Sequence, residues 1–201
     1  MAWSFPLHLT FKGALIALLL GLYGVSPAIA QKTGSIRVYM QPEEGRARLF
    51  PEAVHFESVA HTLSAQARRD LVGALGRSFS GDSLVVDLAY DDEGKLLGYA
   101  VVSEEIGKFR PITFIVGVEP DFSVRGAGVL VYRESYGAEV RKKRFLRQYV
   151  GKKQSDPIRI NRDIVNISGA TMSVRALNFG VRKVLALTEH FYHTPQSAMH
   201  P

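Results

Sequence analysis

The strongest hydrophobic pattern in the chain lies between residues 83 and 132, where short apolar runs are cut by turn residues. Leu84–Tyr90 reads as a strand, rich in β-branched and aromatic residues. Asp91-Asp92-Glu93-Gly94 reads as a turn, and Leu96–Ser103 as the returning strand. Ile112–Val118 is almost wholly apolar, which predicts a central strand. Pro120-Asp121 makes another turn, and Val124–Tyr132 reads as a fourth strand. Two successive hairpins of this kind predict a compact antiparallel sheet.

On either side the pattern turns helical. Ser64 is placed to cap a helix over Ala65–Leu75, with Ala67, Leu71, Ala74 and Leu75 on one side and Gly76 ending it. Phe50-Pro51-Glu52-Ala53 suggests a short helix running toward Val59, because proline suits a first helical turn. Ser35–Met40 is a short strand-like run in a polar stretch. After the sheet, Ala138–Tyr149 reads as an amphipathic helix, with Val140, Phe145 and Tyr149 apolar and Arg141–Arg144 and Arg147 on its polar face. Ile158–Asn166 reads as short and extended. A last helix is expected from about Thr171 to Leu187, although Gly180 argues against its continuity. The fold class expected is α+β: a small antiparallel sheet of about four strands with helices packed on it.

The first 30 residues follow another logic. Lys12 precedes an uncharged stretch of 13 residues, Gly13–Val25, and Ser26-Pro27-Ala28-Ile29-Ala30 ends in an A-x-A box. This is the pattern of a secretory signal peptide, too short for a comfortable membrane span of roughly 20 residues. Cleavage is expected after Ala30, which places Gln31–Pro201 outside the cytoplasm, in the periplasm or associated with a membrane. Four regions follow: a signal peptide at 1–30, a helical N-terminal extension at 31–80, a principal domain at 81–190 and a flexible tail at 191–201.

Composition narrows the chemistry further. The 201 residues contain no cysteine, which excludes disulfides, thiolate metal sites and iron–sulfur clusters. Net charge is +6, and the basic run at Arg141–Arg144 fits a solvated or docking face of an exported protein better than a nucleic-acid site. His190 and His193 are three residues apart near a helix end, where cations at a helix C-terminus explain them better than a metal pair. There is no G-x-S-x-G nucleophile elbow and no P-loop. No catalytic base or nucleophile stands out.

What remains is Asn166-Ile167-Ser168-Gly169-Ala170-Thr171-Met172-Ser173. Ser168 is a good helix N-cap, and Gly169 and Ala170 let a ligand approach the backbone. Thr171 would stand in the first turn, where free N–H groups and the helix dipole favour a phosphate. On these residues alone, a plain capped helix is the better reading.

The stretch Ser168–Ser173 resembles the flavinylation motif of FMN-binding domain proteins, which include the C subunit of the sodium-pumping NADH:quinone oxidoreductase and the G subunit of the Rnf complex. Val131–Val140, with Glu134, Ser135, Tyr136 and Gly137, is similar to the family segment in which a strand ends in Glu, a Gly-containing loop and a helix. The resemblance covers about Leu84 to Leu187. It implies an FMN-binding fold, with FMN carried on Thr171 through a phosphoester bond. It further implies a flavin transferase that attaches the FMN outside the cytoplasm, and redox partner proteins, membrane-bound ones among them.

Cofactor-binding residues expected on this basis are Thr171, Ser168, Gly169, Ala170, Ser173, Glu134, Tyr136 and Gly137. Tyr136 is placed either to stack on the flavin or to be an ordinary surface aromatic. One departure stands out. Many members have Asp six residues before the threonine, where this chain has Val165, with Asp163 and Asn166 nearby. The function expected is an exported electron-transfer flavoprotein. The alternative is a binding or assembly module of a membrane redox system without permanent covalent flavin.

Overall fold

A computed structural model describes residues 36–193, all within the second of the chain's two units, Gly34–Pro201. The expected signal peptide and most of the tail lie outside the described residues. In chain order the elements are β1 (Arg37–Val38), α1 (Pro42–Leu49), β2 (His55–Thr62), α2 (Ala65–Leu75), β3 (Ser83–Tyr90), β4 (Leu96–Ile106), β5 (Pro111–Val118), β6 (Val124–Tyr132), α3 (Lys143–Leu146) and α4 (Thr171–Tyr192). The fold is α+β. Its sheet has six strands in the order β1-β6-β5-β4-β3-β2, and every pairing is antiparallel.

The two expected hairpins, β3–β4 and β5–β6, form the middle of this sheet. Strand β5 sits between β4 and β6, and its alternation explains its apolar run. Ile112, Phe114, Val116 and Val118 join the core shared with α4, while Ile115 joins Phe50 and Leu130 in a second core. The second core lies where α1 packs on β5 and β6. Both faces of β5 are therefore covered, so polar positions are few.

Four expectations require correction. The sheet has six strands rather than four, because the segment expected as a helical extension supplies both edges. β2 pairs with β3 along its whole length, from His55 opposite Tyr90 to Thr62 opposite Ser83. Nor does a helix follow Phe50. The helix precedes it, with Pro42 in the first turn and Glu43 and Glu44 favourably placed toward the helix's positive end. Phe50 itself is fully buried and ends that helix.

The continuous helix expected over Ala138–Tyr149 is broken into a 3-10 turn at Ala138–Arg141, α3, and a 3-10 turn at Arg147–Tyr149. Val140 and Phe145 are five residues apart, about 140° around an unbroken helix, and both are buried. The extended backbone at Lys142, with ψ 133°, lets both reach the core.

Helix α4 runs unbroken through Gly180, and the reason is close packing. A Cβ on Gly180 would lie 2.1 Å from Phe114 Cζ and 3.0 Å from Glu105 Cγ. The helix backbone thus lies directly against the Phe114 ring of β5. One turn on, Lys183 is buried and ion-paired with Glu105 of β4. These contacts fix the direction in which the N-terminal end of α4 points.

Candidate functional site

Thr171 is the first residue of α4. Ser168 does not cap the helix as expected. Gly169 takes a left-handed conformation, φ 77°, and Ala170 becomes the N-cap, with no side-chain hydrogen bond. The first bond into the helix runs from Val174 N–H to Ala170 C=O. The N–H groups of Thr171, Met172 and Ser173 therefore precede the helical ladder, at the positive end of the helix dipole. Asn166 Nδ2 donates to Thr171 Oγ1 at 3.0 Å, which orients the hydroxyl oxygen.

A groove of about 580 Å³ opens at this helix start. Glu134, Tyr136, Gly169, Ala170, Thr171 and Ser173 line it, six of the eight residues expected to bind cofactor. Gly137 lies immediately behind its wall. Ser168 instead lines a neighbouring groove of about 570 Å³, together with Val165, Asn166 and Lys142. Lys108, Phe109 and Met172 also line the first groove and were not expected. Lys108 and Phe109 come from the β4–β5 turn, far from the motif in sequence, so no local signal marks them. Tyr136 is 80% exposed and Phe109 is 74% exposed, two aromatic rings at the rim.

The wall opposite Thr171 is set by buried polar groups. Glu134 is buried, and its Oε1 accepts from Phe109 N–H at 2.6 Å and Arg110 N–H at 3.0 Å. It thereby ties the exit of β6 to the β4–β5 turn. Gly107 leaves room for that carboxylate, since a Cβ there would come within 2.9 Å of Oε1.

The Tyr132 hydroxyl donates to Tyr136 C=O. Having given its only proton, it accepts from Ser173 Oγ at 2.8 Å. Burial pushes the Tyr132 phenol up, and Glu134 and Glu139 add to this, while the Ser173 bond acts against it. Ser173 is therefore a buried strut between β6 and α4. Gly137, at φ 89°, passes between them; a Cβ would meet both Ser173 Oγ and Tyr132 Oη at 2.8 Å.

The departure at residue 165 also resolves into geometry. Val165 is 74% exposed, and its N–H donates to Gln148 Oε1 at 2.7 Å. Asp163 does not take the place of an aspartate at 165. Its carboxylate accepts from Ile158 N–H and Arg159 N–H and pairs with Lys152 Nζ at 2.8 Å. Burial would raise that carboxyl, but Lys152 and the two amides hold it below its ordinary value. Asn166 is the residue that reaches Thr171.

The groove fits a flavin phosphate in three respects. Free helix-start amides suit an anion, the volume suits a cofactor, and the rim carries aromatic rings. Residues 107–186 match the model of the FMN-binding domain family. No curated protein matches the chain. Among solved structures, NqrC of Shewanella oneidensis is similar at 18% identity and a TM-score of 0.52, covering 73% of this chain and 85% of that one. The C subunit of the Na(+)-translocating NADH-quinone reductase from Parabacteroides distasonis is similar at 17% identity and a TM-score of 0.50, covering 76% and 84%. At these identities the likeness is one of fold. Residues 107–186 thus match the FMN-binding domain family, in a chain whose fold is similar to that of these two C subunits.

Proposed function

We propose that this protein is an exported flavoprotein that carries FMN covalently on Thr171 and passes electrons between redox partners. The observation that carries the proposal is the single groove joining Thr171 at an uncapped helix start to the Glu134–Tyr136 wall, inside the segment that matches the FMN-binding domain.

In this reading Thr171 Oγ1 is the attachment atom, oriented by Asn166. The N–H groups of Met172 and Ser173 would hold the remaining phosphodiester charge. Tyr136 and Phe109 would border the ring system, and Glu134 would keep the Phe109 turn in place. When bound, FMN supplies the redox chemistry, and the protein sets its environment and access. Covalent attachment suits an exported protein, because a tethered cofactor is not lost and stays at high local concentration. A signal peptide at 1–30, a flavin transferase and membrane redox partners belong to the same proposal.

Mass spectrometry of protein coexpressed with a flavin transferase tests it. A gain of about 438 Da, FMN less one water, should map to Thr171 and vanish in Thr171→Ala. Unmodified wild-type protein under those conditions overturns the covalent reading. Val165, exposed where many relatives carry a carboxylate, favours the second reading: an assembly module that holds flavin weakly or not at all. A reversible flavin spectrum surviving denaturation and gel filtration would rule that out.

A further inference from the structure

A second cavity, of about 430 Å³, lies along the exposed face of α4, between the end of α2 and the loop at 158–161. Four arginines line it: Arg77, Arg159, Arg175 and Arg182. They come from three separate parts of the chain. No acidic residue lines the cavity, and none of the four makes an ion pair among the described residues.

Two of the four guanidinium groups are nonetheless held in place. Arg182 Nη2 donates to Leu75 C=O at 3.3 Å, and the Arg77 guanidinium lies over the Phe179 ring at 4.3 Å. Arg159 is carried by a costly backbone. Ile158 before it has φ 43° and Asn161 after it φ 62°, and the left-handed region is a genuine outlier for a β-branched residue. Asp163 holds that turn by accepting from both Ile158 and Arg159 N–H.

Asn178 adds a neutral donor. It is 5% exposed, and its Oδ1 accepts from the Tyr149 hydroxyl at 2.7 Å. What it has left is its amide N–H2, which has no hydrogen-bond partner among the described residues. Burial lowers the Arg182 guanidinium, and the charge of Arg159 lowers it further, so these two cations repel across the cavity. Like charges gathered in this way are relieved by an anion that several guanidinium forks can grip at once.

We propose that this cavity is a binding site for a small phosphate-bearing anion, held between Arg77, Arg159, Arg175 and Arg182 with Asn178 at its floor. A doubly charged oxyanion matches the number and fork geometry of the donors better than a single carboxylate. The apolar patches of Leu75, Ile158 and Phe179 leave room for a compact organic body on that phosphate. The site is distinct from the groove at Thr171, with which it shares no lining residue. Arg175 stands one helical turn after Thr171, about 6 Å along the axis of α4.

The test titrates the full chain with inorganic pyrophosphate at fixed ionic strength, followed by calorimetry and backbone amide NMR. A saturable site is expected, with its largest shifts at residues 75–77, 158–161 and 175–182. Arg159→Gln/Arg175→Gln should weaken binding by at least about tenfold. Both side chains are exposed and lack side-chain partners among the described residues, so the melting temperature without ligand should stay put. Lys142→Gln/Arg144→Gln, in the groove beside Thr171, should leave affinity unchanged. Non-saturating binding, shifts spread over all basic residues, or full affinity in the Arg159/Arg175 variant would overturn the proposal. So would a hexaglutamate peptide binding as tightly as pyrophosphate, which would mark a docking face for an acidic protein.

Discussion

The loop that leaves β6, Arg133–Gly137, and the loop that enters α4, Asn166–Ala170, face each other across one groove but are built in opposite ways. The first is locked from inside. Glu134 is buried on two amides, Tyr132 holds Tyr136 C=O, and Gly137 is wedged between Tyr132 and Ser173. The second is open. Asn166, Ser168 and Gly169 are exposed, and Asn166 makes one side-chain bond, to Thr171. One loop shapes a wall, and the other presents a hydroxyl. If this contrast is right, substitutions in the first loop lower stability, while those in the second alter chemistry and leave the fold intact.

The largest effect is expected at Glu134. Glu134→Ala strands the amides of Phe109 and Arg110 in a partly buried turn and removes a charge-assisted acceptor of both. The expected loss is about 3 kcal/mol, a fall in Tm on the order of 10 °C for a domain this size. Glu134→Gln keeps an acceptor and should lose less. Thermal unfolding followed by circular dichroism measures both. An unchanged Tm for the alanine variant would break the comparison at its strongest point.

Gly137→Ala comes next. The added methyl would press on Ser173 Oγ and Tyr132 Oη at 2.8 Å, in a left-handed conformation that disfavours any Cβ. A loss of about 2 kcal/mol is expected from strain and overpacking, again read by thermal unfolding. Since Gly137 contacts α4 rather than the groove, a variant that still folds should keep its flavin.

How far these roles can be read from sequence depends on whether the deciding contact is local. The middle of the sheet is legible because β3 to β6 carry dense apolar runs separated by turn residues. β2 is not. As an edge strand it buries little, so His55–Thr62 shows no strong pattern, and Pro51-Glu52-Ala53 imitates a helix start. The helical break at Lys142 follows from where the sheet lies, which spacing alone does not show.

At the site, the start of α4 is legible from the small residues before an apolar-periodic run. The cap is misread because the left-handed turn at Gly169 moves it from Ser168 to Ala170. Glu134 is legible as a position but not as a role, because its partners lie 24 and 25 residues earlier in the chain. The arginine cavity has no local signature at all. Its four cations span residues 77 to 182 and meet only once α2 and the 158–161 loop pack beside α4.

A smaller effect is expected for Tyr132→Phe. It leaves Tyr136 C=O and the buried Ser173 hydroxyl each short of one partner while preserving the ring's packing. About 1 kcal/mol should be lost, visible as a shifted denaturant midpoint with an unchanged slope. A Tyr132→Phe/Ser173→Ala pair should cost less than the sum of the single changes, because both remove the same bond.

The smallest effect on stability, and the sharpest on chemistry, is expected at Thr171. Its Oγ1 accepts from Asn166 Nδ2, but Asn166 is exposed, so water replaces that bond when the hydroxyl is removed. Alanine is also the better helix former at this position, by up to roughly 0.5 kcal/mol, which offsets the lost contact. Thr171→Ala should therefore melt within about 2 °C of the unmodified wild-type protein. Flavin fluorescence in a denaturing gel should vanish completely, because an alanine has no oxygen to esterify. Thr171→Ser keeps that oxygen and the Asn166 bond, so it should melt alike and recover part of the fluorescence. The two readouts separate a wall from a reactive group. A Thr171→Ala variant as unstable as Glu134→Ala would show that the entry loop, too, is held by its buried contacts, and the contrast between the loops would be lost.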